Sequence, residues 1–277
     1  MTSTVRPTRG KVWLTDRAPY KDASDHSLLQ VTVHLDDVTT AQVATFNVRL
    51  KSLDKLGIAW DRRKGLAAEV MADSGASVIA LQECELSQAS YLLSRVPART
   101  GDPWKMIRPS NVAVMYKSDR WKLLTERRLV TSEGNRRLLL LLLRSVKTGE
   151  AFWFGSCHLS VGFPLAPLWR RHQASQIVEQ LKMTVRKDSE AAIESTLFGD
   201  IRERTVMMGD FNDWASHTSA GVRQVFSEAD MFEQRVRLSD EEFDGDTWRT
   251  NHSFRQTSLR DSRQIDAVFT SRGGVVV

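Results

Sequence analysis

The sequence predicts a single α/β domain. Short apolar runs alternate with amphipathic helical segments along nearly the whole chain, and no Pro-, Gly- or Ser-rich linker divides them. A length of 277 residues is enough for one large core. In order, residues 1–10 read as a flexible lead-in, 11–15 as a short strand and 16–23 as a polar loop containing Pro19. Leu29, Val31, Val33 and Leu35 then alternate with Gln30, Thr32 and His34, the period of a half-buried strand. A turn is expected over 36–40, and a second strand over 42–46 that ends at Asn47. Leu66, Ala67, Val70 and Met71 predict a helix over 61–73, closed by Gly75. Residues 78–81 form a buried strand ending at Gln82 and Glu83, and a helix over 86–95 is expected to stop before Pro97.

Further strands are predicted over 112–116, 138–143 and 152–158, the middle one apolar enough to be buried on both faces, with a hairpin turn over 147–150. A long helix over 167–187 points Ile177, Leu181 and Val185 inward, and the charged stretch 188–204 reads as a surface insertion. Residues 205–208 form a strand that stops at Gly209, whose freedom to turn would let Asp210 and Asn212 project from the strand end. A helix over 220–226, an acidic loop over 239–246 and a last strand over 264–270, with Asp266 near its start, complete the chain.

Bulk properties narrow the function only slightly. The formal net charge of +5 and a sequence pI of about 9.4 lean toward a polyanionic partner. The basic, polar start lacks the apolar segment of a secretory signal, and no run is long enough to span a bilayer. Cys84 and Cys157 each sit inside an apolar run and are expected reduced and buried. A cytoplasmic monomer with no protein partner is the expectation.

The chemistry lies at the strand ends. Asn47, Glu83, His158 and Asp210 each terminate an apolar run, and Asp266 begins one. If the last strand runs antiparallel to the others, these tips meet at one edge of a sheet sandwich, where ligands tend to bind. Carboxylates with an amide and an imidazole, and no cysteine cluster, suit Mg²⁺ or Mn²⁺ better than zinc. Such a set also meets the needs of phosphoester hydrolysis: charge neutralisation, a base for water, and donors to the transition state. Singly, Asn47 and Glu83 would also pass as ordinary strand-end polar residues and His158 as a hydrogen-bonded core histidine.

The segments Thr45-Phe46-Asn47-Val48-Arg49, Leu81-Gln82-Glu83, Cys157-His158-Leu159-Ser160, Gly209-Asp210-Phe211-Asn212 and Ile265-Asp266-Ala267-Val268-Phe269 together resemble the endonuclease/exonuclease/phosphatase superfamily, the deoxyribonuclease-I-like fold. The resemblance implies a four-layer α/β/β/α sandwich of two mixed β-sheets. One piece is out of place. The family closes with a Ser-Asp-His strand entry some tens of residues after its Ile-Asp strand, whereas here Ser24-Asp25-His26 and an alternating strand stand near the start. The chain therefore looks like a circular permutant, in which 11–35 are the family's C-terminal strands and 36–42 join the old termini. His252 is a weaker substitute for His26.

By resemblance, Glu83 is the principal metal ligand, helped by Asn47 and Asp25. Asp210 would orient or deprotonate the attacking water, Asn212 would bind the phosphate, and His26, oriented by Asp266, would contact it. His158 would donate to a phosphate oxygen or protonate the leaving group. The leading expectation is a nuclease acting on nucleic acid, with Arg49, Arg62, Arg63, Arg170 and Arg171 near the motifs. The alternatives are a phosphatase or phosphodiesterase acting on a phosphoinositide or other small phosphate ester, and an inactive phosphate-binding scaffold.

Overall fold

The computed structural model describes residues 10–13, 19–20, 22–35, 39–56, 58–131, 137–161, 166–191, 205–213, 221–233 and 266–271. Two six-stranded sheets face each other. The first holds β1 (Gly10–Trp13), β2 (Leu28–His34), β3 (Thr40–Asn47), β4 (Val78–Gln82), β5 (Trp104–Ile107) and β6 (Ala113–Lys117), in the order β1-β2-β3-β4-β6-β5. The second holds β7 (Trp121–Val130), β8 (Arg137–Ser145), β9 (Ala151–His158), β10 (Thr205–Asp210), β11 (Met231–Glu233) and β12 (Asp266–Ser271), in the order β11-β12-β10-β9-β8-β7. Helices α1 (Trp60–Asp73) and α2 (Leu86–Thr100) cover the outer face of the first sheet; α3 (Ala166–Ala191) and α4 (Val222–Glu228) cover that of the second.

This is the four-layer sandwich, and the period-2 alternation of strand side chains explains it. Leu139, Leu141 and Leu143 of β8 point between the sheets, against a core that includes Val31, Val43, Val78 and Val114. Their neighbours Leu138, Leu140 and Leu142 point the other way, into the layer formed with Ile177, Leu181 and Phe226. The leucine run is thus buried on both faces, as its composition predicts.

Several boundaries differ from the sequence reading. α2 continues through Pro97 to Thr100, where Gly101 in the left-handed conformation closes it with its N–H on the Pro97 carbonyl. Burial of Leu92 and Val96 outweighs the hydrogen bond that proline removes. β3 already starts at Thr40, and Leu35 N–H bonds the Thr39 carbonyl, so the turn is shorter than 36–42. α3 runs to Ala191, past the end expected at 187; 192–204, 239–246, residues 1–9 and His252 lie outside the described residues. β5, β7 and β11 were not expected from the sequence.

Gly209 is not a turn. It lies within β10, and a Cβ there would come within 2.2 Å of the Cys157 carbonyl oxygen on β9. The glycine serves close approach of two parallel strands, and the chain turns at Asn212 instead, at φ 51°. Among the described residues no helix is long and apolar enough to cross a membrane.

Candidate active site

Strand register brings the tips together. β3 runs parallel to β4 and β9 parallel to β10, so Asn47, Glu83, His158 and Asp210 all emerge at C-terminal strand ends. β12 is antiparallel to β10 and pairs Asp266 with Asp210, while His158 is the partner of Asp210 on its other side. β2 is antiparallel to β3, so the segment leading into it, Ser24-Asp25-His26, sits beside the same edge. Beneath the tips a buried polar strut joins the sheets: Thr45 Oγ1 donates to Gln82 Oε1 (3.1 Å), Gln82 Nε2 to Ser156 Oγ (3.2 Å), and Ser156 Oγ to the Leu81 carbonyl (3.1 Å).

Two groups meet at Asp210. The first is a histidine–carboxylate trio. His26 Nδ1 lies 2.9 Å from Asp266 Oδ2, and its Nε2 3.8 Å from Asp210 Oδ2. The second is a carboxylate–amide set. Asn47 Nδ2 donates to Asp210 Oδ2 (3.0 Å) and Glu83 Oε1 (3.3 Å), and His158 Nε2 lies 3.5 Å and 3.8 Å from the same two oxygens. Asn212 donates its backbone N–H to Asp210 Oδ1 (2.9 Å) and its amide to the Leu159 carbonyl (3.1 Å). Asp25 is held by the Arg49 guanidinium and by Ser24 Oγ, which also donates to the Asn47 carbonyl at 2.7 Å.

Electrostatics distinguish the groups. Burial would depress the pKa of His26, but Asp266, Asp210 and Asp25 outweigh it and raise the imidazolium to about 10. Burial, then repulsion from Asp266, pushes Asp210 upward, against the pull of His26 and the donors Asn47 and Asn212. Burial also works to raise Asp25, but His26 and Arg49 hold it below the usual carboxylate range.

His26, Asp210 and Asp266 offer ligand atoms within 4.8 Å of one another. In that trio His26 Nδ1 is tied to Asp266, so the ring turns Nε2 toward Asp210. Glu83, Asn47 and Asp25, the expected ligands, carry oxygen donors of the kind that hard divalent ions take. They supply oxygens without a thiolate, and they lie beside the buried carboxylate of Asp210.

Three buried polar side chains lie behind the site; Gln88 and Gln173 are not among the sequence-predicted residues, and Arg63 is expected there only as an arginine near the motifs. Arg63 of α1 and Gln88 of α2 both bond the Arg49 carbonyl, at 2.7 and 2.8 Å. Gln173 of α3 accepts from Ser160 N–H (3.0 Å) and donates to Ser160 Oγ (2.7 Å), fixing the loop after His158. Their spacing was the available signal, since each falls on its helix's buried stripe. Arg63 is fully buried and so drops out of the arginines expected to face a nucleic acid, whereas Arg62 and Arg171 are exposed.

The sequence model of the Endonuclease/Exonuclease/phosphatase family matches residues 44–276. The chain belongs to this family. All three activities in the family name hydrolyse phosphoesters, so the chain is a phosphoester hydrolase by family. An endonuclease/exonuclease/phosphatase from Bacteroides vulgatus shares the fold with a TM-score of 0.64 at 17% identity, over 84% of this chain and 88% of its own. The human Nocturnin catalytic domain with bound sulfate gives 0.59 at 17% identity over 83% and 81%. A Bacteroides thetaiotaomicron mannosyl-6-phosphatase gives 0.55 at 19% identity over 83% and 85%. No curated protein is matched.

Proposed function

We propose that this member of the family is a divalent-metal-dependent phosphodiester hydrolase acting on nucleic acid. The observation that carries the reading is the meeting, at Asp210, of a His26–Asp266 pair with the Asn47–Glu83–His158 set. Glu83, Asn47 and Asp25 would hold Mg²⁺ or Mn²⁺, which supplies charge neutralisation at the phosphate. Asp210 takes a proton from the attacking water; its raised pKa suits that role. Asp266 anchors Nδ1 of His26, which directs the Nε2 side of a charged ring toward Asp210 and the scissile phosphate. Asn212 donates to a phosphate oxygen, and His158 protonates the leaving oxygen. Attack is in line, with no covalent intermediate.

The net charge of +5 supports a nucleic-acid substrate. A small phosphate ester is the second reading, favoured by the burial of Arg63 and the commitment of Arg49 to Asp25, which reduce the cationic surface near the site. We also infer that the chain is circularly permuted. In support, the family match begins at residue 44, yet β1 and β2 complete the sheet beside β3, and His26 meets Asp266.

The test is an activity panel with Mg²⁺ or Mn²⁺ on plasmid DNA, single-stranded DNA, RNA and phosphoinositides. Chelation by EDTA, Glu83→Ala and Asp210→Ala should each abolish turnover. Hydrolysis that survives chelation would overturn the metal assignment, and turnover confined to phosphoinositides the nuclease assignment.

A further inference from the structure

Building on that metal-dependent reading, we propose that Arg63 and Gln88 are positioning residues that set the metal affinity of the site through two peptide planes. The turn after β3 touches all three assigned ligands. Arg49 N–H donates to Asn47 Oδ1 (2.9 Å), Leu50 N–H donates to Glu83 Oε2 (3.0 Å), and the Arg49 side chain holds Asp25. A peptide group is planar, so fixing a carbonyl fixes the N–H of the next residue on its far side. The Val48 carbonyl shares a plane with Arg49 N–H, and Arg63 Nη1 donates to that carbonyl. The Arg49 carbonyl shares a plane with Leu50 N–H, and it accepts from Arg63 Nη2 (2.7 Å) and Gln88 Nε2 (2.8 Å). Both planes are thus gripped from behind by helix side chains while their N–H groups orient ligands in front.

The grip has work to do. Arg49 is left-handed at φ 55°, a conformation that sterics disfavour for a non-glycine residue. The turn would relax without an opposing hold. Arg63 is suited to it by geometry. Its third donor, Nε, reaches the Ile58 carbonyl at 3.1 Å, its face lies 5.0 Å over the Trp60 ring, and its nearest carboxylate oxygen, on Asp54, is 3.8 Å away. A fully buried guanidinium spending its donors on three carbonyls is a backbone clamp; lysine has no planar fork to span them.

Gln88→Glu and Arg63→Lys test the proposal. Gln88→Glu keeps the oxygen that accepts Glu85 N–H at the start of α2 and replaces the donor to the Arg49 carbonyl with an acceptor. Its added negative charge would by itself strengthen cation binding, so a weakening reports the lost grip. Mn²⁺ binding is measured by calorimetry, with thermal unfolding and Mg²⁺ activation curves alongside. The expected result is about a tenfold loss of Mn²⁺ affinity in each variant, the lower end for residues that support metal ligands. The half-saturating Mg²⁺ should rise to match, with kcat recovered at excess Mg²⁺. Wild-type affinity and activation midpoint in Gln88→Glu would overturn the proposal, as would a loss of activity that excess Mg²⁺ does not restore. If Arg63→Lys does not fold, Gln88→Glu decides alone. A wild-type protein that takes up no Mn²⁺ would instead refute the metal-dependent reading itself, and the proposal with it.

Discussion

Asp266→Asn isolates the buried pair on which the acid–base assignment depends. Asparagine keeps the volume and an oxygen for the His26 Nδ1 proton, 2.9 Å away, but removes the charge. A hydrogen bond to a charged group contributes about 1.5–3 kcal/mol, and one pKa unit corresponds to about 1.36 kcal/mol. The imidazolium should therefore lose about one to two units from its raised value near 10. Because the folded pKa lies above the ordinary histidine value, the stabilisation is fully present below about 6.5 and is lost as pH rises through about 10. The difference in unfolding free energy between wild type and Asp266→Asn should accordingly be largest in mild acid and shrink toward alkaline pH. Hydrolysis should fall on the order of 10²-fold at saturating Mg²⁺, the lower end for a misdirected acid–base group. NMR titration of the His26 ring and denaturant curves from pH 6 to 10 provide the measurements. An unchanged His26 titration, or a stability gap that widens with pH, would refute the assignment.

Other outcomes follow from the same geometry. Gly209→Ala should cost about 1–3 kcal/mol in denaturant melts, because its Cβ would lie 2.2 Å from a backbone oxygen that cannot move aside as a flexible side chain could; an unchanged midpoint would contradict the close approach. Burial pushes Cys84 up to about 12 and Cys157 upward as well, so neither should react with a thiol reagent at pH 8 until guanidinium unfolds the chain. Labelling of the native protein would count against that burial. A rearranged chain of residues 38–277 followed by 1–37 through a short Gly/Ser linker should fold and keep its hydrolytic activity. Failure of that chain to fold would count against the permutation.

What the sequence disclosed and what it hid divide along a physical line. Strand-end residues were legible because an apolar run that stops at a polar side chain is a local signal, as at Asn47, Glu83, His158 and Asp210. The antiparallel entry of β12, needed to bring Asp266 to them, could be stated only as a condition, and the register pairing Asp210 with Asp266 satisfies it. β7 escaped notice because its alternation slips at a bulge between Leu123 and Thr125 and its outer positions are charged. The grip of Arg63 and Gln88 on Arg49 depends on two helices meeting one turn, which no single stretch of sequence encodes. The adjacent Arg62 is chemically identical, and helical phase alone decides which of the two is buried.

The left-handed residues tie these elements together. Arg49, Glu83 and Asn212 all adopt positive φ (55°, 55° and 51°), and each lies just beyond a strand that delivers a site residue. Within a strand, consecutive side chains face opposite sides, so a regular continuation would send alternate polar groups away from the edge. A left-handed residue breaks that alternation. Asn212 N–H meets Asp210 Oδ1 and Arg49 N–H meets Asn47 Oδ1, so two strand ends are closed by the same i+2 contact just before the left-handed residue redirects the chain. Such conformations cost about 1–3 kcal/mol each; Asp22 and Asp230, both in turns, adopt them as well. Their retention where side-chain identity matters, at a carboxylate, an amide and a guanidinium, is the pattern expected of a site whose geometry is held against local backbone preference by the packing behind it.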